Sequence, residues 1–386
     1  MSSGPDVAVI GGGIVGCSAA AFLTEAGATV EVYERDEVGA AASGRNSGSI
    51  QHPFDPVLTE LHMETLRHYR GLEELDLPDA PAGVLMLAPG QGQLDGPLSA
   101  IARDCPELEA MLLEPADVRR LEPGVAEGLW ACRLETGYPV QPIAATRAFA
   151  RRAFAGGARF HEGETAWPWV TGGRARGVLA SGVRRPAGAV LVTAGPWTPE
   201  VIDATQAWQP IVPVWGVVAD VKMDDPPSHV LEEVGVEDAA AGGEAAASAI
   251  FSLVRAGRQV SLGSTFLMEP PPEPGAWTPR LQLAGQRFVP GLRRALVVGA
   301  RACPRPQSLD GRPLIGELPG QERLWGRRPR ALGHLHRPRH RAHRGGRPPR
   351  RGGGAGGALC GSLLRPCIHE LPQVLARQLR GDVRRA

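Results

Sequence analysis

Residues 6–36, DVAVIGGGIVGCSAAAFLTEAGATVEVYERD, place an apolar strand, a glycine turn, a helix, a second strand and a terminal acid in one order. That order constrains the chain more than any other feature. Residues 6–10 are an unbroken run of strand formers, Gly11, Gly13 and Gly16 match G-x-G-x-x-G, and 17–26 read as helix. Gly11 permits the tight turn, Gly13 lets backbone approach a pyrophosphate, and Gly16 lets helix pack on strand. Ile14 and Val15 stand in the turn where a helix N-terminus offers free N–H groups to an anion. Strand 29–32 then delivers Glu34, eighteen residues past Gly16, with Arg35 beside it. A carboxylate there accepts hydrogen bonds from both ribose hydroxyls and repels a 2′-phosphate. The segment therefore predicts FAD or NAD and disfavours NADP.

At 386 residues and 43% hydrophobic the chain is long enough for two domains and a sizeable core. The start, MSSGPDVAVI, enters a strand without a basic n-region, and no apolar stretch approaches the roughly 18 residues of a membrane span. A cytoplasmic location is expected. Six cysteines form no C-x-x-C pair, so reduced thiols are expected, with neither a disulfide framework nor a metal site. The net charge of +1 hides a partition: residues 326–386 hold fifteen Arg against Glu370 and Asp382 alone, a local +13 that leaves −12 on the rest.

Three further stretches have the composition of ligand loops. GAAASGRNSGSIQHP after the first acid is rich in glycine, serine and asparagine. An apolar strand at 189–193 runs into AGPWTPEV, and 303–316 reads CPRPQSLDGRPLIG, where Asp310 and Gly311 signal a turn and Arg305 is a cation between two prolines.

Together with GYPVQPIAATRAFARRAFAGGARFHEGETA, these blocks resemble the D-amino acid oxidase family of FAD-dependent oxidoreductases, which includes glycine oxidase, sarcosine oxidase and D-amino acid dehydrogenases. The resemblance covers about residues 5–325 and implies FAD rather than NAD. It implies an α/β fold, with a Rossmann-type FAD-binding domain on a parallel sheet (1–80, 141–210 and 296–325) and an antiparallel-sheet substrate domain (81–140 and 211–295). By that resemblance Ser43, Arg45, Asn46, Ser47 and Gly48 line the pyrophosphate and flavin ring, Ala166 holds the adenine side through its backbone, and Ala194, Gly195 and Trp197 pack near the ribityl and phosphate portion. Arg305 matches the family's arginine that pairs with a substrate carboxylate, a role suited to a planar guanidinium; left to itself, it could equally bridge strands. Cys303, seven residues before Asp310, has a spacing resembling sarcosine oxidases that tether flavin through cysteine. His52, with an unperturbed pKa of about 6.5, is a candidate to tune amine protonation, or a structural residue before proline.

The implied reaction is oxidation of an amine or amino acid to an imine, with O₂ or another acceptor taking the electrons. Oxidation of a 2-hydroxy acid would use the same flavin and carboxylate anchor. In the substrate segments, 104–123 read as a charged helical run, and Trp208, Trp215, Phe251 and Phe266 are core residues or pocket lining. From Gly326 the chain has no apolar periodicity. Back-translated with G- and C-rich codons and regrouped by one base, 326–342 permit V-A-G-H-G-P-W-G-I-S-T-A-P-A-T-A, which resembles the family's continuation. An out-of-frame tail is thus one expectation. The competing one is a basic tail that binds nucleic acid or leaves the protein inactive, although stacking aromatics are missing from it. His334, His336, His340 and His343 have no acid or cysteine partners for a metal.

Overall fold

A computed structural model of the protein describes residues 4–75, 77–235, 249–268, 271–309 and 311–318. The tail at 326–386 with its histidines, and Asp310, lie outside the described residues.

The apolar run of the fingerprint becomes strand β1, Val7–Ile10, buried throughout. Helix α1, Ile14–Glu25, follows, and then strand β2, Val30–Glu34. The helix begins three residues ahead of the expected 17, because the glycine turn supplies its first turn. A Cβ on Gly16 would strike the carbonyl oxygen of Gly11, so helix and strand meet this closely only over glycine. Four parallel strands form the first sheet, with β1 between Ala189–Val192 and β2, and Arg159–Glu162 beyond β2. Helices α1 and Pro142–Ala155 pack on it; Phe22 and Phe149 lie 6.0 Å apart between them, and Leu23, Val32 and Ala145 are buried in the same cluster.

The second large sheet has eight strands, and it is mixed rather than antiparallel throughout. Val84–Ala88 and Val230–Glu233 run parallel at its centre, while its other pairings are antiparallel. Those two strands come from segments far apart in the chain, so no hairpin fixes their direction. The strand Leu296–Ser308, in a segment expected with the FAD domain, pairs with Ile211–Lys222 at the edge of this sheet. The charged run at 104–123 is not one helix. A short strand, Met111–Leu113, separates the turn Pro106–Leu108 from the helix Pro115–Leu121, with Pro106 and Pro115 each opening a new element. Phe251 and Phe288 stack 4.8 Å apart in the core of this sheet, so Phe251 is packing. Among the described residues no helix is long and apolar enough to cross a membrane.

Candidate cofactor and substrate site

The carboxyl ends of the parallel strands gather most of the residues expected to hold a dinucleotide. Gly11 has φ +111°, a conformation that favours glycine, and its N–H donates to Tyr33 O at 2.8 Å. Glu34 Oε2 accepts from the Gly12 N–H at 2.6 Å and Oε1 from the Asp36 N–H at 2.9 Å. Both carboxylate oxygens are thereby aimed by backbone and retain lone pairs for hydroxyl donors. Thr193 N donates to Ile10 O at 2.8 Å, setting Ala194 and Gly195 beside Gly11. The Arg35 guanidinium lies 4.3 Å from the centre of the Trp197 ring, so two residues expected at the site are in contact. Ala166 is buried with Ile10 and Tyr33 where the first two strands end.

The residues present fit a bound pyrophosphate. No acid occupies the first turn of α1, and Ser43 Oγ accepts from the Ile14 N–H at 3.0 Å, fixing the loop 42–48 against the helix N-terminus. A Cβ on Gly13 would stand 3.0 Å from that hydroxyl, filling the approach to the helix.

The loop is closed from the other side by a residue that sequence reasoning missed. Arg301 Nε donates to Arg45 O at 3.2 Å and its Nη2 to Asn46 O at 2.8 Å, while Nη1 pairs with Asp220. Arg45 answers by donating to Ala302 O at 3.3 Å. Within the loop, Asn46 Oδ1 accepts from the Gly48 N–H at 2.9 Å, and Ser43 and Ser47 are buried.

Arg301, Cys303 and Arg305 alternate along one strand and so share a sheet face. Arg305, 7% exposed, donates from Nη1 to Thr265 O at 2.8 Å and from Nη2 to Ser264 Oγ at 2.6 Å, with its guanidinium 4.8 Å from the Phe266 ring centre. The neighbouring strand makes room for it with Gly216, where any Cβ would strike the guanidinium. Phe266 thus supports the cation. Burial pushes the Cys303 thiol up to about 11, which leaves it little thiolate at neutral pH.

His52 is placed elsewhere. Its Nδ1 accepts from the Phe54 N–H at 3.1 Å, and its Nε2 is 3.1 Å from both Thr59 Oγ1 and Glu107 Oε1. Those partners belong to neither the fingerprint nor the Arg305 strand. Cys105 joins them, with donor atoms of His52, Cys105 and Glu107 all within 4.8 Å. With Nδ1 taking the Phe54 N–H, Nε2 is the ring nitrogen that faces Thr59 and Glu107.

Residues 6–327 match the family model described as FAD dependent oxidoreductase. The glycine oxidase of Bacillus licheniformis is 25% identical over 340 residues, covering 83% of this chain and 86% of that protein. Among solved structures, glycine oxidase from Bacillus cereus ATCC 14579 has a TM-score of 0.69 at 23% identity, covering 81% of this chain and 86% of its own. Iminodiacetate oxidase from Chelativorans sp. BNC1 has a TM-score of 0.67 at 25% identity, covering 81% and 87%.

Proposed function

The chain belongs to the FAD dependent oxidoreductase family, and from that premise we propose that it oxidises a small amine or amino acid bearing a carboxylate. FAD, when held there, would supply the acceptor for a hydride from the carbon carrying the amine, giving an imine open to hydrolysis by water. The observation that carries this reading is Arg305, a buried cation on the sheet face whose Arg301 grips the flavin loop. A guanidinium fixed by Ser264 and Thr265 presents a preset fork to a carboxylate and orients the amine carbon.

Glycine 11 to Glu34, with Arg35 and Trp197, would hold the adenosine and pyrophosphate, and Ser43, Asn46 and Ser47 the inner part of the cofactor. His52 is a structural residue in this reading. Its ring is committed to Phe54, Thr59 and Glu107, so proton control at the amine falls to other groups.

The test is anaerobic titration of the FAD-loaded protein with glycine, sarcosine, D-amino acids and 2-hydroxy acids, following the flavin absorbance. Bleaching by an amine supports the reading. Bleaching by hydroxy acids alone would overturn it.

A further inference from the structure

Between the flavin loop and the eight-stranded sheet lies a second polar cluster that the dinucleotide site does not use. Glu232, 3% exposed, sits at the centre of the sheet and accepts from Gln51 Nε2 at 3.0 Å. Gln51 is three residues past Gly48 of the flavin loop, and its Oε1 has no hydrogen-bond partner among the described residues. The same is true of Ser49 Oγ, two residues away, and of Ser252 Oγ, on the residue paired with Glu232 across the strands. Ser49 is 7% exposed, Gln51 5% and Ser252 1%. One buried carboxyl thus has two buried, unpartnered acceptors on the residues next to it, Gln51 and Ser252, and a third, Ser49 Oγ, two residues along the chain from Gln51, an arrangement that costs free energy until a donor arrives.

Strand register places this cluster on the Arg305 face. Val218 pairs with both Arg301 and Gly263, Gly263 pairs with Ser252, and Ser252 pairs with Glu232. Gly263, next to the Ser264 that holds Arg305, lies two strand steps from Glu232, roughly 10 Å from backbone to backbone.

Resting on the reading of Arg305 as the carboxylate anchor, we propose that Glu232, Gln51 and the flanking serines form the site for the substrate's ammonium group. An ammonium has three N–H donors and one positive charge, which match a carboxylate and the orphan acceptors around it. Glu232's neighbours on its sheet face, Met86, Ser252 and Val254, are uncharged; the charges further along that face are Arg301 with Asp220, and Arg305. From the segment above, His52 turns its ring to Thr59 and Glu107. Burial raises the Glu232 carboxyl to about 7, so a nearby cation readily favours its ionised form.

The full chain, loaded with FAD and kept anaerobic, is titrated calorimetrically with propylamine, propanoate and 3-aminopropanoate. Glu232→Gln should weaken propylamine and 3-aminopropanoate at least tenfold and leave propanoate within twofold. Gln51→Leu, which keeps the acid, should weaken the same two ligands several-fold. Arg305→Met should affect propanoate and spare propylamine. The ammonium site is overturned if the unmodified protein binds neither amine, or if both Glu232→Gln and Gln51→Leu bind them as the parent does. Failure of propanoate to bind, or its indifference to Arg305→Met, would instead remove the carboxylate anchor, with the propylamine arm still deciding the role of Glu232.

Discussion

Arg301 donates from Nη2 to the carbonyl oxygen of Asn46, 2.8 Å away, joining the edge strand of the eight-stranded sheet to the loop 42–48. Its Nε holds Arg45 O, and Asp220 holds the opposite end of the guanidinium. The loop proposed to hold the cofactor therefore takes its shape partly from the eight-stranded sheet. Arg301→Leu should lower FAD affinity at least tenfold and cost about 1–3 kcal/mol of stability, since two carbonyls lose a charged donor and Asp220 its partner. Asp220→Asn, which leaves the loop bonds in place, should be milder in FAD affinity. Flavin fluorescence on dilution and urea unfolding measure the two effects; equal FAD loss in both variants would contradict the clamp.

Arg305→Met should raise KM for a carboxylate substrate by about ten- to a hundredfold, the worth of a charge-assisted bond. Gly216→Ala should act alike without touching the arginine, because its Cβ occupies the guanidinium's place. Steady-state kinetics of both variants check this. An unchanged KM in Gly216→Ala would show that the guanidinium has room to work elsewhere.

The fingerprint was legible because its constraints are local. Gly11, Gly16 and Glu34 answer to turn, packing and hydrogen-bond demands within one β-α-β unit, and each stands where the sequence reading put it. Arg305 was legible only through the resemblance, yet its alternation with Arg301 and Cys303 was a period-two signal that could have revealed Arg301 as well. Glu232 and Gln51 had no such signal. They lie 181 positions apart, Gln51 just past the short strand Ser49–Ile50 and Glu232 in the strand Val230–Glu233, and meet only in the folded chain. Pairing between segments far apart in the chain turned an expected antiparallel sheet into a mixed one, and the partners of His52, Thr59 and Glu107, come from elements that proximity in sequence to the loop 42–48 does not reveal.

The flavin should be released by acid or denaturant rather than stay attached. Cys303 is buried, its thiol is held up at about 11 mainly by burial, and its Sγ is 3.7 Å from Pro304 O. A thiol so rarely ionised is a poor nucleophile toward a flavin ring. Acid precipitation should leave the yellow colour in the supernatant, and Cys303→Ser should bind FAD unchanged. Colour retained in the pellet of the parent but lost in Cys303→Ser would establish a covalent link.

Glu232 should also imprint itself on stability against pH. Desolvation raises its carboxyl from 4.5 to about 7 in the folded chain. Below pH 4.5 both folded and unfolded chains hold the proton, so the group is neutral in its effect. Between 4.5 and 7 the folded chain keeps a proton that the unfolded chain has released, and stability falls as pH rises. Above about 7 the loss is complete, on the order of 3 kcal/mol for this shift. Other carboxylates titrate over the same range, so the quantity to measure is the difference between the parent and Glu232→Gln. Urea unfolding at pH 5, 6, 7 and 8 should show the variant gaining stability relative to the parent as pH rises, with the gain levelling off near 7. A difference that stays flat across that range would mean that Glu232 ionises in the folded chain as it does in water, and that the cluster around it is already satisfied.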